Sequence, residues 1–509
     1  IPPKPSNDAL PSPGVNPLGG PPKLEEELQL DGAQVRATLR NTGVLQWHGA
    51  TKQGSLVVQD DLIGIKGEGE LCIILHTFCI SSSSSSKRPI CRGAAAAIPK
   101  RKRKDMRLSF ANERSRQMWF ETIQRFLDEA GRPKKLMVIV NPFGGEGAGK
   151  KLFLQIVEPL LLAAKISFTM KETMFSSHAK DLAKSLDLSQ FDGIACVSGD
   201  GVLVEVLNGL LERVDWKHAI RKPLGIIPAG TGNGMAKSLL HHAGEFFDVA
   251  SATFLIIRGH KQALDVATVV QGQVRFHSIL MLSWGLVADV DFESEKYRWM
   301  GRFRFDFQTL IRIVNLRRYN GSFSYLPAEH LGGTGGPYSS ELEVNKLLQN
   351  NEADSARSWR KGYSGPLQSH PSSDWRSMDG VFVLVWLNNV PFAGESAMPA
   401  PLAKFSDGCL DLLVLRDCSR WELFGLLFKL QDGSHIKSKS IEYLKVKAFR
   451  LSPGGRCGSE KQGGYVDLDG EVLARGQGSH GDASNDPMVY GPTIEVSIQQ
   501  GLATLFCPS

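Results

Sequence analysis

The sequence predicts a doubly wound α/β domain with a mostly parallel sheet, followed by a largely antiparallel β domain and preceded by a β-rich extension. Short apolar runs that alternate with amphipathic helices indicate the α/β domain at residues 134–264. After it, apolar runs recur with few helices between them, which indicates a β domain at 265–509. Before it, short β-type runs separated by turns indicate the extension at 36–130.

The bulk composition bounds the function only loosely. With 509 residues and 42% apolar content the chain is long enough for two or three packed domains. The net charge of +6 is mild and fits an acidic membrane surface, anionic nucleotides or neither. The eight cysteines include no C-x-x-C pair, which argues against a zinc or redox site. No nucleic-acid partner is expected.

The sequence contains neither a signal peptide nor an apolar run of the ~18 to 20 residues that a membrane-spanning helix needs. We therefore expect a cytoplasmic protein whose membrane association, if it has one, is peripheral. The oligomeric state stays open, a homodimer included.

Three stretches have low complexity. Residues 1–35 are rich in Pro and Gly and are predicted to be disordered. Residues 81–104 contain a six-serine tract and the basic cluster Lys100–Lys104, and are predicted to form an inserted loop. The polar segment 332–378 is predicted to be a disordered insertion in the β domain. The basic cluster leaves three interpretations open: a solvated loop, an acidic-lipid contact or a nuclear import signal.

The extension ends in one predicted helix, Glu113–Ala130. Its apolar residues Trp119, Ile123, Phe126 and Leu127 share one helical face. Strands closed by one amphipathic helix resemble a pleckstrin-homology-like (PH-like) module, and an unclassified β-rich extension is the alternative.

The first of three glycine loops begins at Asn141 and reads Asn-Pro-Phe-Gly-Gly-Glu-Gly-Ala-Gly-Lys-Lys. It follows a predicted strand and opens a predicted helix, Lys151–Ala164, so its backbone N–H groups form a plausible phosphate cradle. A Walker A loop requires Ser or Thr where Lys151 stands, which argues against a P-loop enzyme. The alternative is a glycine-rich turn without a ligand.

The second loop, Ser198-Gly-Asp-Gly, and the third, Pro228-Ala-Gly-Thr-Gly-Asn, also follow strands and precede helices. Asp200 stands at the carboxyl end of its strand, where open α/β sheets bind ligands, although a turn aspartate or helix N-cap is the simpler interpretation. Thr231 adds a hydroxyl to the third loop. Three such loops on one sheet should converge at one edge. None contains a full G-x-G-x-x-G, which argues against a dinucleotide enzyme.

These motifs resemble those of sphingosine kinases in the diacylglycerol-kinase-like superfamily. Two further motifs carry the resemblance: Glu205-Val-Leu-Asn-Gly, and Ser283-Trp-Gly-Leu-Val-Ala-Asp-Val-Asp-Phe-Glu-Ser-Glu-Lys-Tyr-Arg. The similarity covers about 135–318 continuously and 380–473 in pieces. The last motif is the one that resembles sphingosine kinases specifically.

The resemblance implies ATP-dependent phosphorylation of the primary hydroxyl of sphingoid bases (sphingosine, sphinganine, phytosphingosine) to the 1-phosphate, with Mg²⁺ as cofactor. It implies a nucleotide-binding α/β domain and a lipid-binding β domain. Asp200 would be the general base and Asp291 would hold the substrate amine, while Leu286, Val287 and Val290 would line the tail pocket. The residues implied to bind ATP are Asn141, Phe143, Gly145, Thr173, Ser198, Gly199, Gly201, Gly230, Thr231, Arg298, Arg304 and Glu471. Protein ligands of the metal remain unknown.

Two residues depart from the family pattern. Phe143 stands where a basic residue is common, and Met281 stands where a small hydroxyl residue can contact substrate. The nucleotide affinity and the choice among sphingoid bases therefore stay open.

Two alternative functions remain: a kinase of diacylglycerol or ceramide, which carry no free amine, and a non-catalytic lipid-binding protein. A cationic head group would explain an acid beside an apolar pocket, because an unpaired buried carboxylate is costly. The alternative for the acids Asp289, Asp291, Glu293 and Glu295 is a solvated, charged helix start.

Overall fold

The computed structural model describes residues 22–80, 98–145, 147–301, 303–328, 362–366, 372–459, 461–479 and 481–508. Contacts within the chain divide it into two compact units, one ending at Arg132 and the other running from Pro133 onward. Each unit has its own apolar core. Within the described ranges, no helix is both long and apolar enough to cross a bilayer.

The N-terminal unit is a seven-stranded antiparallel sheet in the order β4-β3-β2-β1-β7-β6-β5. Its strands are β1 (Pro22–Leu30), β2 (Ala33–Arg40), β3 (Val44–His48), β4 (Gln53–Val57), β5 (Leu62–Glu68), β6 (Cys72–Ile80) and β7 (Arg101–Ser109). Between β4 and β5 lies the short helix α1 (Val58–Asp61), and the sheet is closed by helix α2 (Glu113–Glu129). Trp119 and Ile123 are fully buried on the core face of α2, as predicted. A β-rich N-terminal unit is thus confirmed, and a PH-like module stays a prediction.

Two predictions about this unit are wrong. Residues 22–35, predicted to be disordered, form β1 and the start of β2, where Leu28 and Leu30 are 2% exposed. Composition averaged over 35 residues concealed this short alternating pattern. Residues 101–104, predicted to lie in the inserted loop, begin β7, where Arg101 Nη1 donates to Asp61 Oδ1 at 2.8 Å and to Phe78 O at 2.9 Å. The serine tract and residues 1–21 lie outside the described part of the chain.

The second unit begins with four parallel strands in the order β9-β8-β10-β11. They are β8 (Lys135–Val140), β9 (Ser167–Glu172), β10 (Gly193–Ser198) and β11 (Leu224–Pro228). The helices of this part are α3 (Gly149–Leu152), α4 (Glu158–Ala163), α5 (His178–Ser185), α6 (Asp200–Leu211), α7 (Trp216–Ala219), α8 (Gly234–His242) and α9 (Val249–Arg258). A π-helical turn at Phe153–Val157 joins α3 to α4, so one helical stretch occupies the place of the predicted helix 151–164.

The rest of the unit is mainly antiparallel, as predicted. Its strands are β12 (Lys261–Gln271), β13 (Val274–Ser278), β14 (Met281–Gly285), β15 (Tyr319–Pro327), β16 (Arg376–Phe382), β17 (Leu384–Asn388), β18 (Leu410–Leu415), β19 (Ile441–Arg456), β20 (Tyr465–Leu468), β21 (Glu471–Arg475) and β22 (Ile494–Phe506). Three helices complete it: α10 (Leu286–Glu293), α11 (Phe303–Val314) and α12 (Arg420–Leu430). Trp284 and Tyr319 are fully buried in the core between these strands.

Strand β22 joins the two halves of this unit. It pairs antiparallel with β12 and β19, and it meets the parallel sheet at Leu505, which pairs with Leu224 of β11. The next residue, Phe506, packs so tightly against Gly193 and Gly225 that a Cβ at either glycine would come within 2.6 or 3.3 Å of its ring. The fold class predicted from the sequence is confirmed.

The predicted disordered insertion 332–378 is partly wrong. Residues 376–378 belong to β16. Tyr363 is ordered by its backbone N–H, which donates to Leu211 O at 2.8 Å, and its ring lies 4.9 Å from Trp216 and 5.1 Å from His277, centroid to centroid. The remainder, 332–361 and 367–371, lies outside the described residues.

Candidate active site

The three glycine loops meet at the carboxyl ends of β8, β10 and β11. Gly145 has φ 59°, and a Cβ there would lie 2.9 Å from Ala229 O. A Cβ at Gly230 would lie 2.3 Å from the Cα of Gly199. Because these approaches bring backbone against backbone, only glycine fits at the junctions. The three loops converge as the sequence predicts.

The first loop is held by its own asparagine. Asn141 Oδ1 accepts hydrogen bonds from the N–H groups of Phe143 (2.9 Å) and Gly144 (3.1 Å). The neighbouring strand end supplies Thr173, which is buried and whose N–H donates to Val140 O at 2.9 Å. The ring of Phe143 is 74% exposed, so an aromatic face is available at the edge of this loop.

The third loop is fixed in the same way. Asn233 Oδ1 accepts from Gly230 N–H at 3.1 Å, and its Nδ2 donates to Gly230 O at 2.9 Å and to Glu395 Oε1 at 3.1 Å. Ser198 of the second loop is fully buried, and its hydroxyl donates to Gly199 O at 2.9 Å. In contrast to Gly230, Gly201 borders open space. The loops are thus rigid at their contacts and open toward one side.

Asp200 lies where the second and third loops touch. It is 7% exposed, and its carboxylate accepts the N–H groups of Gly234 (2.6 Å) and Met235 (3.0 Å) at the start of α8. Burial raises the pKa of Asp200 to about 6, with the two amides acting against this shift and the charge of Asp469 adding to it. A carboxylate with this pKa can accept a proton near neutral pH and release it again.

Asp469 lies in the tight turn between β20 and β21, with φ 53°. Its carboxylate accepts Ser278 Oγ–H at 2.7 Å and Met281 N–H at 2.9 Å, and also the N–H groups of the two residues between them. Burial raises the pKa of Asp469, and these hydrogen bonds limit the rise. Asp469 thereby fastens the β20–β21 turn to the strand that leads into α10.

Asp291 on α10 faces the same turn. Desolvation raises its pKa to about 7, with Arg304 opposing the rise and Glu295 and Glu471 adding to it. A Cβ at Gly470 in the turn would lie 4.0 Å from Asp291 Oδ2. The acids of the turn therefore connect the surroundings of Asp200 to those of Asp291.

Beneath Asp291 lies a network of buried charges. Asp289 is fully buried, accepts the hydroxyl of Tyr319 at 2.7 Å and lies 3.5 Å from Arg317 Nη1. Glu293 bonds Arg317 at 2.7 Å and also pairs with Arg312. The alternative of a solvated helix start is therefore wrong for Asp289 and Glu293, because cations and a phenol from neighbouring elements enclose them.

An apolar cluster adjoins Asp291. Leu286 and Val290 are 7% and 8% exposed, and Val287 packs at their side. The other buried members of this cluster are Ile313, Val383, Leu384, Trp386, Leu413, Leu415, Cys418 and Leu423. All three residues predicted to line the tail pocket thus share one apolar environment next to the acid predicted to hold the amine.

Of the two arginines predicted to bind ATP, Arg298 and Arg304, the structure describes the side chain of Arg304. Arg304 is buried and pairs with Glu295, and it lies near enough to Asp291 to lower the pKa of that acid. The side chain of Arg298 lies outside the described part of the structure. Glu471, predicted to lie near the nucleotide, is close enough to Asp291 to raise its pKa.

Sequence reasoning missed Asp467. This residue is 0% exposed and accepts Ser283 Oγ–H at 3.1 Å and Gly470 N–H at 2.9 Å. Burial, Asp291 and Asp469 together raise the pKa of Asp467 well above its usual value. An available signal was the position of Asp467, an acid at the end of an otherwise apolar strand and two residues before Asp469-Gly470-Glu471.

Among the residues that the structure describes, no cluster of three or more His, Cys, Asp or Glu side chains is arranged to hold a metal ion. A metal in this site would therefore depend on ligand oxygens from a bound molecule as well as on the protein.

Comparisons with known proteins identify the family of this chain. Residues 135–269 match the family model of the diacylglycerol kinase catalytic domain, and residues 372–480 match the YegS C-terminal NAD kinase beta sandwich-like domain. Sphingosine kinase 2 of Arabidopsis thaliana is 48% identical over 390 residues, which are 77% of this chain and 79% of the relative. Sphingosine kinase 1 of Arabidopsis thaliana is 42% identical over 99% of both chains. Human sphingosine kinase 1 is 35% identical over 67% of this chain and 87% of its own length.

Proposed function

The chain belongs to the sphingosine kinase family and is a lipid kinase, and we propose that it transfers the γ-phosphoryl group of ATP to the primary hydroxyl of sphingoid bases. Sphingosine, sphinganine and phytosphingosine are the proposed substrates and their 1-phosphates the products. The observation that carries this proposal is a row of four desolvated acids that connects the glycine loops to α10 through the β20–β21 turn. We call it the acid line, and its members are Asp200, Asp469, Asp467 and Asp291.

Asp200 is the proposed general base. Its carboxylate takes the hydroxyl proton while the substrate oxygen forms a bond to the γ-phosphorus and the bond from that phosphorus to the bridging oxygen of ATP breaks. The amides of Gly234 and Met235 hold the carboxylate in place, and its pKa of about 6 allows it to return the proton to solvent.

The ATP phosphates are proposed to lie on the backbone N–H groups of the three loops. Asn141 and Asn233 hold the first and third loops in place by accepting the N–H groups of Phe143 and Gly230, so the other N–H groups of these loops need no reorganisation when phosphate binds. Thr173 and the exposed ring of Phe143 border the same edge and fit the adenosine end. The remaining proposed ATP contacts are Gly145, Ser198, Gly199, Gly201, Gly230, Thr231, Arg298, Arg304 and Glu471.

Mg²⁺ is proposed to enter with ATP. Asp200 and Asp469 bring two carboxylates to this edge, close enough for the charge of Asp469 to add to the burial that raises the pKa of Asp200, and such a pair suits a divalent cation. When bound, the ion would neutralise charge on the phosphate oxygens. Because phosphates and water can supply most of its ligands, we assign no protein ligands to it.

Asp291 is the proposed ligand of the substrate ammonium, and the cluster around Leu286, Val287 and Val290 is the proposed tail pocket. A substrate ammonium would pair with this desolvated carboxylate. Diacylglycerol and ceramide carry no cation and cannot pair with it. These neutral lipids form the alternative substrate class.

The decisive experiment is phosphate transfer from radiolabelled ATP to a panel of sphingosine, phytosphingosine, diacylglycerol and ceramide in detergent micelles. We expect product from the two amines and little from the neutral lipids. Turnover that survives in Asp200→Asn would refute the assigned base, and preferential labelling of ceramide or diacylglycerol would favour the alternative.

We further propose that the enzyme meets the bilayer through an outer apolar face on α11 and α12. Seven exposed apolar side chains define this face: Phe303, Phe307, Leu310 and Val314 on α11, and Trp421, Phe424 and Phe428 on α12. Trp421 is 85% and Phe303 is 75% exposed. Apolar surface of this extent on two neighbouring helices is uncommon on a protein that stays in water.

A lipid bilayer is the occupant that fits. The opposite faces of the same helices place Ile313 and Leu423 in the apolar cluster of the proposed tail pocket, so a substrate leaving the bilayer here has a continuous apolar path. Exposed Arg420 and Lys429 at the two ends of α12 suit anionic headgroups.

Vesicle flotation tests this assignment. The double variant Phe303→Ser, Trp421→Ser should lose binding to anionic vesicles while retaining turnover of a short-chain, water-soluble base. The comparison variant is Lys102→Ser, Lys104→Ser in β7, because deletion of 81–104 would remove part of that strand. If only the lysine variant loses binding, the basic strand and not the outer apolar face contacts the membrane.

A further inference from the structure

We propose that Asp467 and Asp291 form a two-carboxylate site for the substrate ammonium, in which a proton shared by the two acids leaves when the cation binds. The inference rests on the proposed function and deepens it. It adds a residue that neither motif nor spacing identified, and it states what the second acid does.

The position of Asp467 is fixed by the sheet. It is the direct cross-strand partner of Ser283, whose hydroxyl donates to Asp467 Oδ2 at 3.1 Å. Its other oxygen, Oδ1, accepts Gly470 N–H at 2.9 Å, and a Cβ at Gly470 would lie 4.0 Å from Asp291 Oδ2. Asp467 thus lies behind the turn residue that faces Asp291, and it is fully buried.

Asp467 bonds Ser283 and Gly470, but it is not the only acid that holds this turn. The turn is already fastened by Asp469, which accepts four hydrogen bonds from the segment Ser278–Met281. A neutral side chain at 467 would avoid the cost of burying a carboxylate, and that cost calls for a compensating role. Proximity to Asp291 supplies one.

The surrounding charges determine the state of the pair. Arg304 is the cation that acts on Asp291, and it is also paired with Glu295. The acids that act on the pair are Glu295 and Glu471, from the side of Asp291, and Asp469, from the side of Asp467. Burial and the charge of Asp291 together raise the pKa of Asp467, so we infer that the two acids hold one proton between them at neutral pH.

Strand β14 offers independent support. Met281 and Ser283 lie two residues apart and therefore share one face of the strand. The small hydroxyl expected at position 281 is replaced by a thioether, and Ser283 carries a hydroxyl that bonds Asp467. The hydroxyl available to the substrate head group therefore lies at position 283, beside Asp467, and not at position 281.

The sign of the linkage follows from these charges. An ammonium between the two acids stabilises the doubly ionised pair, so binding releases the shared proton. Affinity for a cationic base should then rise as the pH is raised through the titration of the pair. A neutral head group does not interact favourably with the second acid. The pair therefore favours cationic over neutral lipid substrates.

Calorimetry tests the proposal. Binding of a short-chain, water-soluble sphingoid base is measured in two buffers of different ionisation enthalpy, which reports the protons released. The wild-type enzyme should release close to one proton at neutral pH, and Asp467→Asn should release much less and show a flatter pH dependence of base affinity. The KM for ATP should be unchanged.

The matched control is Asp265→Asn. Asp265 is another buried acid, which accepts the N–H groups of Gly408 (2.6 Å) and Gly501 (2.7 Å), and its raised pKa has no contribution from Asp291 or Asp467. This variant should retain proton release. Proton release by Asp467→Asn equal to that of the wild type would overturn the proposal.

The wild type alone also decides the question, so an unstable variant does not leave it open. Release of a proton with the amine but not with its N-acetylated form supports the shared-proton site, and binding of the amine without proton release overturns it. Failure of the enzyme to bind or phosphorylate any sphingoid base would instead reject the proposed function.

Discussion

Replacing Asp291 with asparagine should make the ligand-free enzyme more stable at pH 8 and a poorer kinase for amines. The pKa of Asp291 is about 7 against an ordinary 3.8. Each pKa unit corresponds to about 1.4 kcal/mol, so the ionised carboxylate is disfavoured by about 4 kcal/mol in the folded state relative to the unfolded one. Because Asp467 shares this penalty, we expect about 2 kcal/mol of added stability in Asp291→Asn.

The pH dependence identifies the cause. A carboxyl with a raised pKa in the folded state binds its proton more tightly there, so its contribution to stability is complete below pH ~4 and is lost as the pH rises to about 7. Urea unfolding should therefore show the gain in Asp291→Asn at pH 8 and little or none at pH 4. Equal gains at both pH values, or a loss at pH 8, would refute the reasoning.

Activity should change in the opposite direction. A charge-assisted hydrogen bond contributes about 1.5–3 kcal/mol, so the KM for sphingosine should rise roughly tenfold to a hundredfold while the KM for ATP stays constant. Asp289→Asn is the comparison variant two residues away, because Asp289 faces Tyr319 and Arg317 and not the proposed amine site, so the KM for sphingosine should stay near the wild-type value. Unaltered sphingosine kinetics in Asp291→Asn would favour a neutral lipid substrate.

Three further changes test the nucleotide side. Asp200→Asn should lower kcat by about 10²-fold or more, as loss of a general base does, without raising the KM for ATP, measured by radiolabel transfer. Gly230→Ala should abolish ATP binding because the new Cβ would lie 2.3 Å from Gly199 Cα, whereas Gly394→Ala meets no atom within 4 Å and should bind normally in equilibrium dialysis. Phe143→Arg should lower the KM for ATP at low ionic strength, since the exposed position then adds a cation near an anionic nucleotide; an unchanged KM would place this side chain away from the nucleotide.

The sequence predicted the strand, glycine loop and helix pattern because those signals are local. Burial of consecutive apolar residues in β10 and the glycines at its end can be recognised within ten residues of chain. The same locality explains two errors. In 22–35, polar residues alternate with residues such as Leu28 and Leu30 that face the core only once the neighbouring strand has paired. Residues 101–104 are mostly exposed and form a strand only by pairing with 77–80 of β6.

The proximity of the acids between Asp200 and Asp291 could not be predicted from short stretches of sequence. Ser283 and Asp467 are 184 residues apart, and the Asp-Gly that follows Asp467 indicates a turn first. The pKa values of these acids depend on burial created by four separate stretches of chain. The position of Asp200 at a strand end and the family resemblance of the motif around Asp291 singled out these two acids, while their connection through the β20–β21 turn required the fold.

The closing strand β22 constrains how this enzyme can be assembled. The sheet edge at β11 and the groove beside Gly193 and Gly225 are covered by Leu505 and Phe506 of β22, which follows the other described strands of this sheet along the chain. Until β22 has been synthesised, the parallel sheet therefore has an unpaired edge at β11 and an unfilled groove. An unpaired strand edge promotes aggregation. Residues 133–260 expressed alone should therefore aggregate. Addition of a separate fragment that contains residues 494–508 should reduce this aggregation.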